Sequence, residues 1–516
     1  MKFFARRKYT WLVLTSFICT QAFSVDVFKA DKLFAEEKYQ QAIQEYSQAA
    51  KIGSPHAFYQ LGTIYHKGLA VPIDNISAYI WFSMASQYDF NDSAEAAQNI
   101  YALLTDSQKS RTKELLPAVA ASFGKTQVTS QYFPVLNQDL LSEKITFGGD
   151  GELTVSYQDE DLILEEIHGS FEDDGFDTND SFSGDETGAY EFSAGNQLSE
   201  MRPGDDLRYS IQLRPEFKFT RRTPFLIVDY DIGPDGSVRN ATPVQKIGYS
   251  RTLEEKFVKN KFPAPNFQDS RVNFMNRSYI GSAAYARNKM DQKNEALFDK
   301  VRRLAKKLKV SEAKEDKYQY AMMLLTFKWL KQQEGEAEAK LKELAQLGDP
   351  RAQYELGAKL YREQTNIEQG IYWISESSKY GLAKAEYLLA NILKHSPWVV
   401  NDEKKALFWY ESAMRKVHLA ATLKASELRM LAMDKSLHNF ESANQYLASM
   451  TESQSNNPEY YFLLAIAEKN KANRDFGQVI DYVEKAIRLG QKLNWDVTYW
   501  RGLVQKWTTG KVYIVE

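Results

Sequence analysis

Residues 57–85 of the 516-residue chain decide its fold; they read AFYQLGTIYHKGLAVPIDNISAYIWFSMA. The positions that follow helical spacing are Ala57, Leu61 and Tyr65, then Ala78, Trp81, Phe82 and Ala85. Each set lies on one face of a helix, and Gly68 and Pro72 between the sets mark a loop. Gly62 has no side chain, so a second helix can approach it closely. The stretch therefore predicts two helices packed as a hairpin.

The same pattern returns toward the other end of the chain, at intervals of 33 and 36 residues. The positions that recur after 33 residues are Gly348, Ala352, Tyr354, Leu356 and Gly357, then Gly381, Ala385, Tyr387, Leu389 and Ala390. Trp373 recurs after 36 residues as Trp409. Such periods are typical of stacked helical hairpins, because one hairpin cannot bury its apolar face alone. Two further helix pairs are predicted, one ending at Gly53 and one over about 456–490.

Residues 57–85 resemble a Sel1-like repeat, a relative of the tetratricopeptide repeat. The later copies, at about 345–425, resemble it less closely, and the pair at 456–490 is closer to a plain tetratricopeptide repeat. The resemblance covers roughly 30–105 and 310–500. It implies a non-enzymatic scaffold whose concave surface holds a peptide or a partner protein. We interpret the aromatic residues at helical spacing as packing between repeats.

A different pattern begins at about residue 128. Apolar residues on either side of 148–151 predict a β-hairpin, and 128–222 is expected to be a β-rich region. Residues 159–186 contain 12 acidic residues and no Lys or Arg, which is typical of a solvated acidic loop. A calcium site is the alternative, because carboxylate and amide oxygens bind calcium. Its ligands would be Asp173, Asp174, Asp177, Asn179 and Asp180, although an EF-hand loop starting at Asp177 lacks the required glycine and glutamate.

Residues 224–285 carry a second ordered pattern. Residues 225–232 and 237–244 are predicted strands joined by a turn that contains proline and glycine. A short helix is predicted over about 252–260, and a further strand over about 272–280. The region is therefore predicted to be a small α+β domain.

This order of elements resembles the C-terminal domain of TonB-family proteins over about 224–281. The matching positions are Asp235, Gly236, Val238, Leu253, Phe262, Pro263 and Ala264. The segment departs from the family because it is internal and because Asn260 replaces a bulky aromatic residue. In that family the domain captures an extended peptide of an outer-membrane transporter at a sheet edge.

The resemblance implies a partner-binding edge in this chain. Its residues would be Arg271, Val272, Asn273, Phe274, Met275, Asn276, Arg277, Ser278, Tyr279 and Ile280. The alternative is that the small domain serves only as a packing unit between the two helical arrays.

Residues 1–24 have the three parts of a secretory signal peptide. The positive region is formed by Lys2, Arg6, Arg7 and Lys8. An apolar run of about 13 residues follows, and Ala22 and Ser24 are the small residues before the cleavage point. We predict export to the periplasm. An uncleaved inner-membrane anchor is the alternative, although the run is shorter than the roughly 20 residues of a spanning helix. Cys19, the one cysteine of the chain, lies in this segment, so the mature chain would form no disulfide.

The composition and motifs predict neither nucleic-acid binding nor catalysis. The formal net charge is -3, whereas nucleic-acid binding needs a concentrated basic face. The six histidines lack close metal-ligand spacing, and neither a nucleophile elbow nor a phosphate loop is present. Asp229 and Asp231 lie on one face of a predicted strand, and we expect them to be exposed and without a catalytic role. We therefore expect no catalytic residue, metal or cofactor.

Basic residues are concentrated in 287–309, where apolar positions form a narrow helical stripe. We interpret this region as an amphipathic linker helix with a solvated basic face. Contact with an anionic lipid or polymer, or with the acidic loop, is the alternative. Residues 501–516 are expected to be a C-terminal tail.

Together these patterns predict a mainly α protein, with tetratricopeptide-like α–α superhelical repeats at 25–125 and 310–500. The middle is predicted to be β-rich and α+β, with a TonB-C-like unit. The predicted function is a non-enzymatic periplasmic scaffold that binds protein partners of the cell envelope. The alternative is a component of TonB-linked transmembrane transport that docks on an outer-membrane receptor. Membrane contact is expected only if the signal segment stays uncleaved.

Overall fold

The computed structural model describes residues 25–149, 224–248, 250–450 and 454–509. The signal segment, the acidic loop with its candidate calcium ligands, and the second strand of the predicted hairpin lie outside the described residues.

The described chain begins and ends with helices, and its strands lie in the middle. The N-terminal helices are α1 Val27–Ala35, α2 Tyr39–Lys51, α3 Pro55–Lys67, α4 Asn75–Ser86, α5 Ser93–Leu103, α6 Asp106–Phe123 and α7 Lys125–Tyr132. The middle elements are β1 Thr146–Gly148, β2 Phe225–Ile232, β3 Val238–Ile247, α8 Arg251–Phe257, β4 Ala264–Phe267, β5 Ser270–Arg271 and β6 Phe274–Gly281. The helices that follow are α9 Arg287–Lys293, α10 Glu295–Lys309, α11 Lys314–Thr326, α12 Glu336–Gln346, α13 Pro350–Arg362, α14 Ile367–Tyr380, α15 Ala383–His395, α16 Glu403–Met414, α17 Leu419–Leu431, α18 Phe440–Ala448, α19 Pro458–Lys469, α20 Phe476–Lys492 and α21 Thr498–Thr508.

Three helices begin with the same local signal. Ser54, Asp349 and Asn457 each stand before a proline at the start of α3, α13 and α19. Their side chains accept hydrogen bonds from backbone N–H groups of the first turn, while the proline tolerates a position that has no intrahelical donor. Side-chain oxygen and proline together therefore fix where these helices start.

Successive helices pack as hairpins: α3 with α4, α13 with α14, α15 with α16, and α19 with α20. In the first hairpin Gly62 faces the ring of Phe82, and a Cβ atom at Gly62 would lie 2.9 Å from that ring. Trp409 is fully buried, and its indole N–H donates to the carbonyl of Tyr132 at 2.7 Å. Phe82, Trp373 and Trp409, three of the aromatic residues at helical spacing, are thus buried as predicted.

The N-terminal helices contact the C-terminal helices where α14 ends. Asp31 of α1 accepts hydrogen bonds from the hydroxyls of Tyr46 and Tyr380, and it contacts Nε2 of His56 at 2.7 Å. Gly381 follows α14 with a φ of +96°, and a Cβ atom there would lie 2.4 Å from the carbonyl oxygen of Val25. The N-terminal helices and the helices α13–α17 therefore share one apolar core.

The extended segment between α7 and β1 lies along the C-terminal helices. The backbone N–H of Asn137 donates to Trp398, and that of Val400 donates to Val135, at 2.9 and 2.8 Å. The indole N–H of Trp398 donates to the carbonyl of Glu143 at 3.0 Å. The described part of the predicted β-rich region is thus mostly an extended segment that packs along the C-terminal helices.

Two small sheets follow, and both are antiparallel. One has the strand order β1-β4-β5 and the other β3-β2-β6. The predicted strands at 225–232 and 237–244 and the predicted helix at 252–260 correspond to β2, β3 and α8. The predicted last strand differs, because Arg271 belongs to β5 and β6 begins only at Phe274. The predicted basic helix is two helices, α9 and α10, with Asn294 between them.

Candidate functional site

The sheet β3-β2-β6 has two faces with different neighbours. Side chains alternate along a strand, and the even-numbered residues of β2 form one apolar cluster with α8. The odd-numbered residues Phe225 and Ile227 instead pack with α9, α10 and α11. Asp229 and Asp231 continue this odd-numbered face, which is turned toward the helices α13, α15 and α19. Each of these three helices is the first helix of its hairpin. We therefore call the opposing surface, with Glu355, Tyr387 and Glu459, the first-helix face.

Arg277 of β6 connects this sheet to α13. Its Nε and Nη2 donate to the two carboxylate oxygens of Asp229 at 2.6 and 2.8 Å, and its Nη1 lies 3.0 Å from Oε2 of Glu355. Only 4% of the Arg277 side chain and 2% of the Glu355 side chain are exposed. Lys384 of α15 lies 3.0 Å from the other oxygen of Glu355. Each buried charged group at this contact therefore has an oppositely charged partner.

The same contacts account for the protonation states. Burial opposes the charged form of Arg277, but Asp229 and Glu355 outweigh it and hold its pKa well above the ordinary value. Burial also works against the carboxylate of Glu355, yet Arg277 and Lys384 keep the pKa of Glu355 below its usual range. Arg277 and Glu355 therefore stay ionised at neutral pH, and neither group is prepared to exchange a proton.

A second contact joins the sheet to α15. The Tyr387 hydroxyl donates to Asp231 at 2.7 Å, and the side-chain amide of Asn240 contacts the same carboxylate oxygen at 2.9 Å. Burial raises the pKa of Asp231, while these hydrogen bonds lower it in part. Asp229 and Asp231 do lie on one strand face, as predicted, but the expectation that they are exposed is wrong. Asp229 is paired with Arg277 of the neighbouring strand β6, and Asp231 is bound by Tyr387 of α15.

A third set of contacts lies toward the end of the chain. Arg239 of β3 donates to Glu459 of α19 at 3.1 Å, and Lys424 of α17 donates to the other Glu459 oxygen at 3.0 Å. The indole N–H of Trp495 donates to the carbonyl of Val238 at 3.1 Å. The backbone N–H of the following residue donates to Asp235 at 2.7 Å. The contacts between this sheet and the helices therefore extend from α13 to the connection between α20 and α21.

The residues of the predicted partner edge are divided between two strands. Ser270 and Arg271 in β5 are exposed, whereas no residue of β6 is. β6 pairs with β2 on one side and has no second partner strand among the described residues. The opposite edge, β3, is more accessible, but it contains Pro243 and two register irregularities, which are features that discourage strand addition. Binding of a partner at 271–280 stays a prediction.

The histidines and acidic groups do not form a metal site within the described ranges, where no group of three or more such side chains is suitably placed. Burial lowers the pKa of His395 to about 3 and that of His418 to about 4, so both are neutral at pH 7. His418 Nδ1 accepts a hydrogen bond from the backbone of α17 at 3.2 Å. No helix in the described part of the chain is both long and apolar enough to cross a membrane.

Comparison with known proteins supports the repeats. The Sel1 repeat family matches residues 55–87, 350–379 and 383–416, so the chain carries Sel1 repeats toward both ends and the predicted resemblance is confirmed there. The Sel1 repeat protein from Oxalobacter formigenes is a similar solved structure at 16% identity, covering 43% of this chain and 61% of that chain, with a TM-score of 0.30. This chain therefore spans less than two thirds of that structure.

A second similar structure is c5321, a protective antigen present in uropathogenic Escherichia coli strains and displaying an SLR fold. The identity is 14%, the match covers 93% of this chain and 79% of that chain, and the TM-score is 0.31. No curated protein matches the chain as a relative. The likeness of 224–281 to the TonB C-terminal domain stays a prediction.

Proposed function

We propose that this protein is a non-enzymatic scaffold of the bacterial periplasm that binds other proteins of the cell envelope. The Sel1 repeats support this proposal, since such repeats generally mediate protein–protein interaction. The observation that carries it is the first-helix face, which already binds a folded α+β unit through Glu355, Tyr387 and Glu459. Every charged group described in these contacts has a partner, which suits binding rather than chemistry.

The place we propose for an external partner is the edge at 271–280. A strand that has one neighbour leaves a row of backbone donors and acceptors for a peptide. Arg271, the exposed residue of the preceding strand β5, is the accessible part of this segment. The first-helix face is not proposed for an external partner, because the sheet β3-β2-β6 occupies it.

Site-specific photo-crosslinking in living cells tests this place. A photoreactive residue at position 271 is expected to capture envelope proteins. The matched control is the same residue at Lys246, which is exposed on the opposite edge strand β3. Equal capture at the two positions, or none at 271, contradicts the proposed edge.

The periplasmic location rests on residues 1–24 and on Val25. Val25 is fully buried, so the proposed cleavage point directly precedes the first residue of the core. Sequencing the mature N-terminus from an osmotic-shock fraction is expected to begin at Val25. A chain that retains residues 1–24 in the membrane fraction would instead support the anchored form.

A role in TonB-linked transport is the second candidate function. It is favoured by the antiparallel strands β2 and β3, the helix α8 after them and the later strand β6, with β2 between β3 and β6 in the sheet. A transport component is expected to copurify with outer-membrane β-barrel receptors, and to lose them when 271–280 is changed. A general scaffold is expected to retain partners that are not receptors.

A further inference from the structure

Helix α10 presents two different sides. Phe298, Val301, Ala305 and Leu308 are buried in one apolar cluster with β2 and α11. The exposed side carries four cations within six residues. We call this set the basic face: Arg302, Arg303, Lys306 and Lys307.

The basic face is poorly neutralised by the described chain. Arg302 lies 3.8 Å from Asp299, with about half of each side chain exposed. Arg303, Lys306 and Lys307 have no carboxylate within ion-pair distance among the described residues. Cations three and four positions apart on a helix repel each other. The helix dipole stabilises the positive charges of the two lysines in the last turn. It stabilises the two arginines earlier in the helix less, because the effect falls off beyond the last turn.

The same chain contains a segment of opposite charge. Residues 159–186 hold 12 acidic residues and no Lys or Arg, in a protein whose formal net charge is only -3. We propose that the basic face of α10 is an intramolecular docking surface for this acidic segment. The segment would neutralise the four cations and keep them from other anions of the envelope.

The connection from the acidic segment to β2 is long enough for this contact. The carbonyl of Pro224 accepts a hydrogen bond from Ser282 at 2.8 Å, and Phe225 belongs to the same apolar cluster as Phe298 of α10. The chain therefore enters β2 beside α10. The 38 residues from Glu186 to Pro224 span up to about 120 Å when extended, while α10 is about 22 Å long.

An anionic membrane is a less suitable partner for this face. Interfacial helices bind lipid by inserting an apolar side beneath their charges, and the apolar side of α10 is already buried. A tethered segment also has a high effective concentration at its site, which an external anion lacks.

Zero-length carbodiimide cross-linking of the full chain tests the proposal, because it joins lysine amines to carboxylates that are in contact. Lys306 and Lys307 are expected to link to carboxylates of 159–186 at about 0.05 M NaCl. The yield is expected to fall at least about fivefold at about 0.5 M NaCl, where screening shortens the range of exposed charges. The matched control residues are the exposed Lys492 and Lys506 of α20 and α21, which are expected to give no such links.

A charge-reversal pair provides an independent readout. K306E/K307E is expected to increase cleavage of 159–186 by a glutamate-specific protease several-fold, whereas K492E/K506E leaves it unchanged. Circular dichroism verifies that both variants fold.

Three outcomes would overturn the proposal. One is that the yield of cross-links to 159–186 is no higher at Lys306 and Lys307 than at the control lysines. Another is links between differently isotope-labelled copies only, which would indicate a second copy as the occupant. The third is binding to phosphatidylglycerol vesicles that K306E/K307E abolishes, without any link to the acidic segment.

Discussion

Replacing Arg277 by methionine should loosen the sheet β3-β2-β6 from the first-helix face. Among the described residues, the guanidinium is the one cation that contacts both Asp229 and Glu355. Methionine keeps much of the side-chain volume and removes the charge. Two carboxylates would then face each other with one cation, Lys384, remaining at 3.0 Å from Glu355.

The size of the effect follows from which charge is left without a partner. Removing one member of a buried ion pair costs about 3–5 kcal/mol. Lys384 still compensates Glu355, and 19% of the Asp229 side chain is exposed. The lower end of the range, about 3 kcal/mol, is therefore expected, which corresponds to roughly a hundredfold change in an equilibrium constant.

Hydrogen exchange followed by mass spectrometry is the suitable assay, because a chain with several units does not unfold in one step. Amides of β2 and β6 are expected to exchange roughly a hundredfold faster in the Arg277→Met variant. The protection of α19 and α20, which belong to a separate apolar cluster, is expected to change little.

Two variants distinguish loss of the ion cluster from general damage. Arg251→Gln removes an exposed ion pair within the same unit, with side chains 75% and 60% exposed, and should cost only about 0–1 kcal/mol. Adding Asp229→Asn and Glu355→Gln to Arg277→Met removes the uncompensated charges and should restore much of the protection. If Arg277→Met behaves like Arg251→Gln, or if the triple variant is the least protected, the reasoning is refuted.

Further predictions concern the other contacts. The pKa of Asp31 is held below its ordinary value, because its hydrogen-bond partners outweigh burial. The Asp31 carboxylate should stabilise the folded protein fully above its pKa in the unfolded chain, about 4. This stabilisation should be lost as the pH falls through the lower pKa of Asp31 in the folded protein. Asp31→Asn should therefore weaken the hydrogen-exchange protection of α1 at pH 7 but not near pH 2, and an equal loss at both pH values would contradict this. Gly381→Ala should expose α1 to proteolysis, because a Cβ atom there would lie 2.4 Å from the carbonyl oxygen of Val25. The control is Gly335→Ala, at a φ of +73° with open space around it, which should cost only about 1–2 kcal/mol of backbone strain. Tyr387→Phe should weaken protection of β2 by about 1–3 kcal/mol, because Asp231 loses a donor, and unchanged exchange would contradict that role.

The helical repeats could be predicted because their signal is local. Positions three and four residues apart lie on one face whatever the rest of the chain does. Small residues such as Gly62 and start signals such as Asp349 before proline also act within a few residues. For the same reason β2, β3 and α8 were predictable to within a few positions. The family match at 55–87, 350–379 and 383–416 agrees with this part of the sequence analysis.

The attachment of the sheet could not be predicted in the same way. The period of a strand places Asp229 and Asp231 on one face, but it contains no information about what covers that face. Glu355 and Tyr387 lie more than a hundred residues further along the chain, within helices where they resemble ordinary repeat positions. A weak signal existed in Glu355, since a carboxylate beside Leu356 and Gly357 on the packed side of a hairpin requires a cationic partner.

The position of the buried charges indicates what they contribute. On the odd-numbered face of the sheet, Arg277 and Asp229 lie between apolar contacts, with Ile227 on one side and Met275 on the other. An apolar interface alone would tolerate a shift of the sheet along α13. A slide by two residues, however, would bring Ile227 or Asp231 to the place of Asp229 and leave the carboxylate of Glu355 without Arg277. We infer that the apolar ends supply most of the affinity and that the ion cluster selects one register of the sheet on the helices.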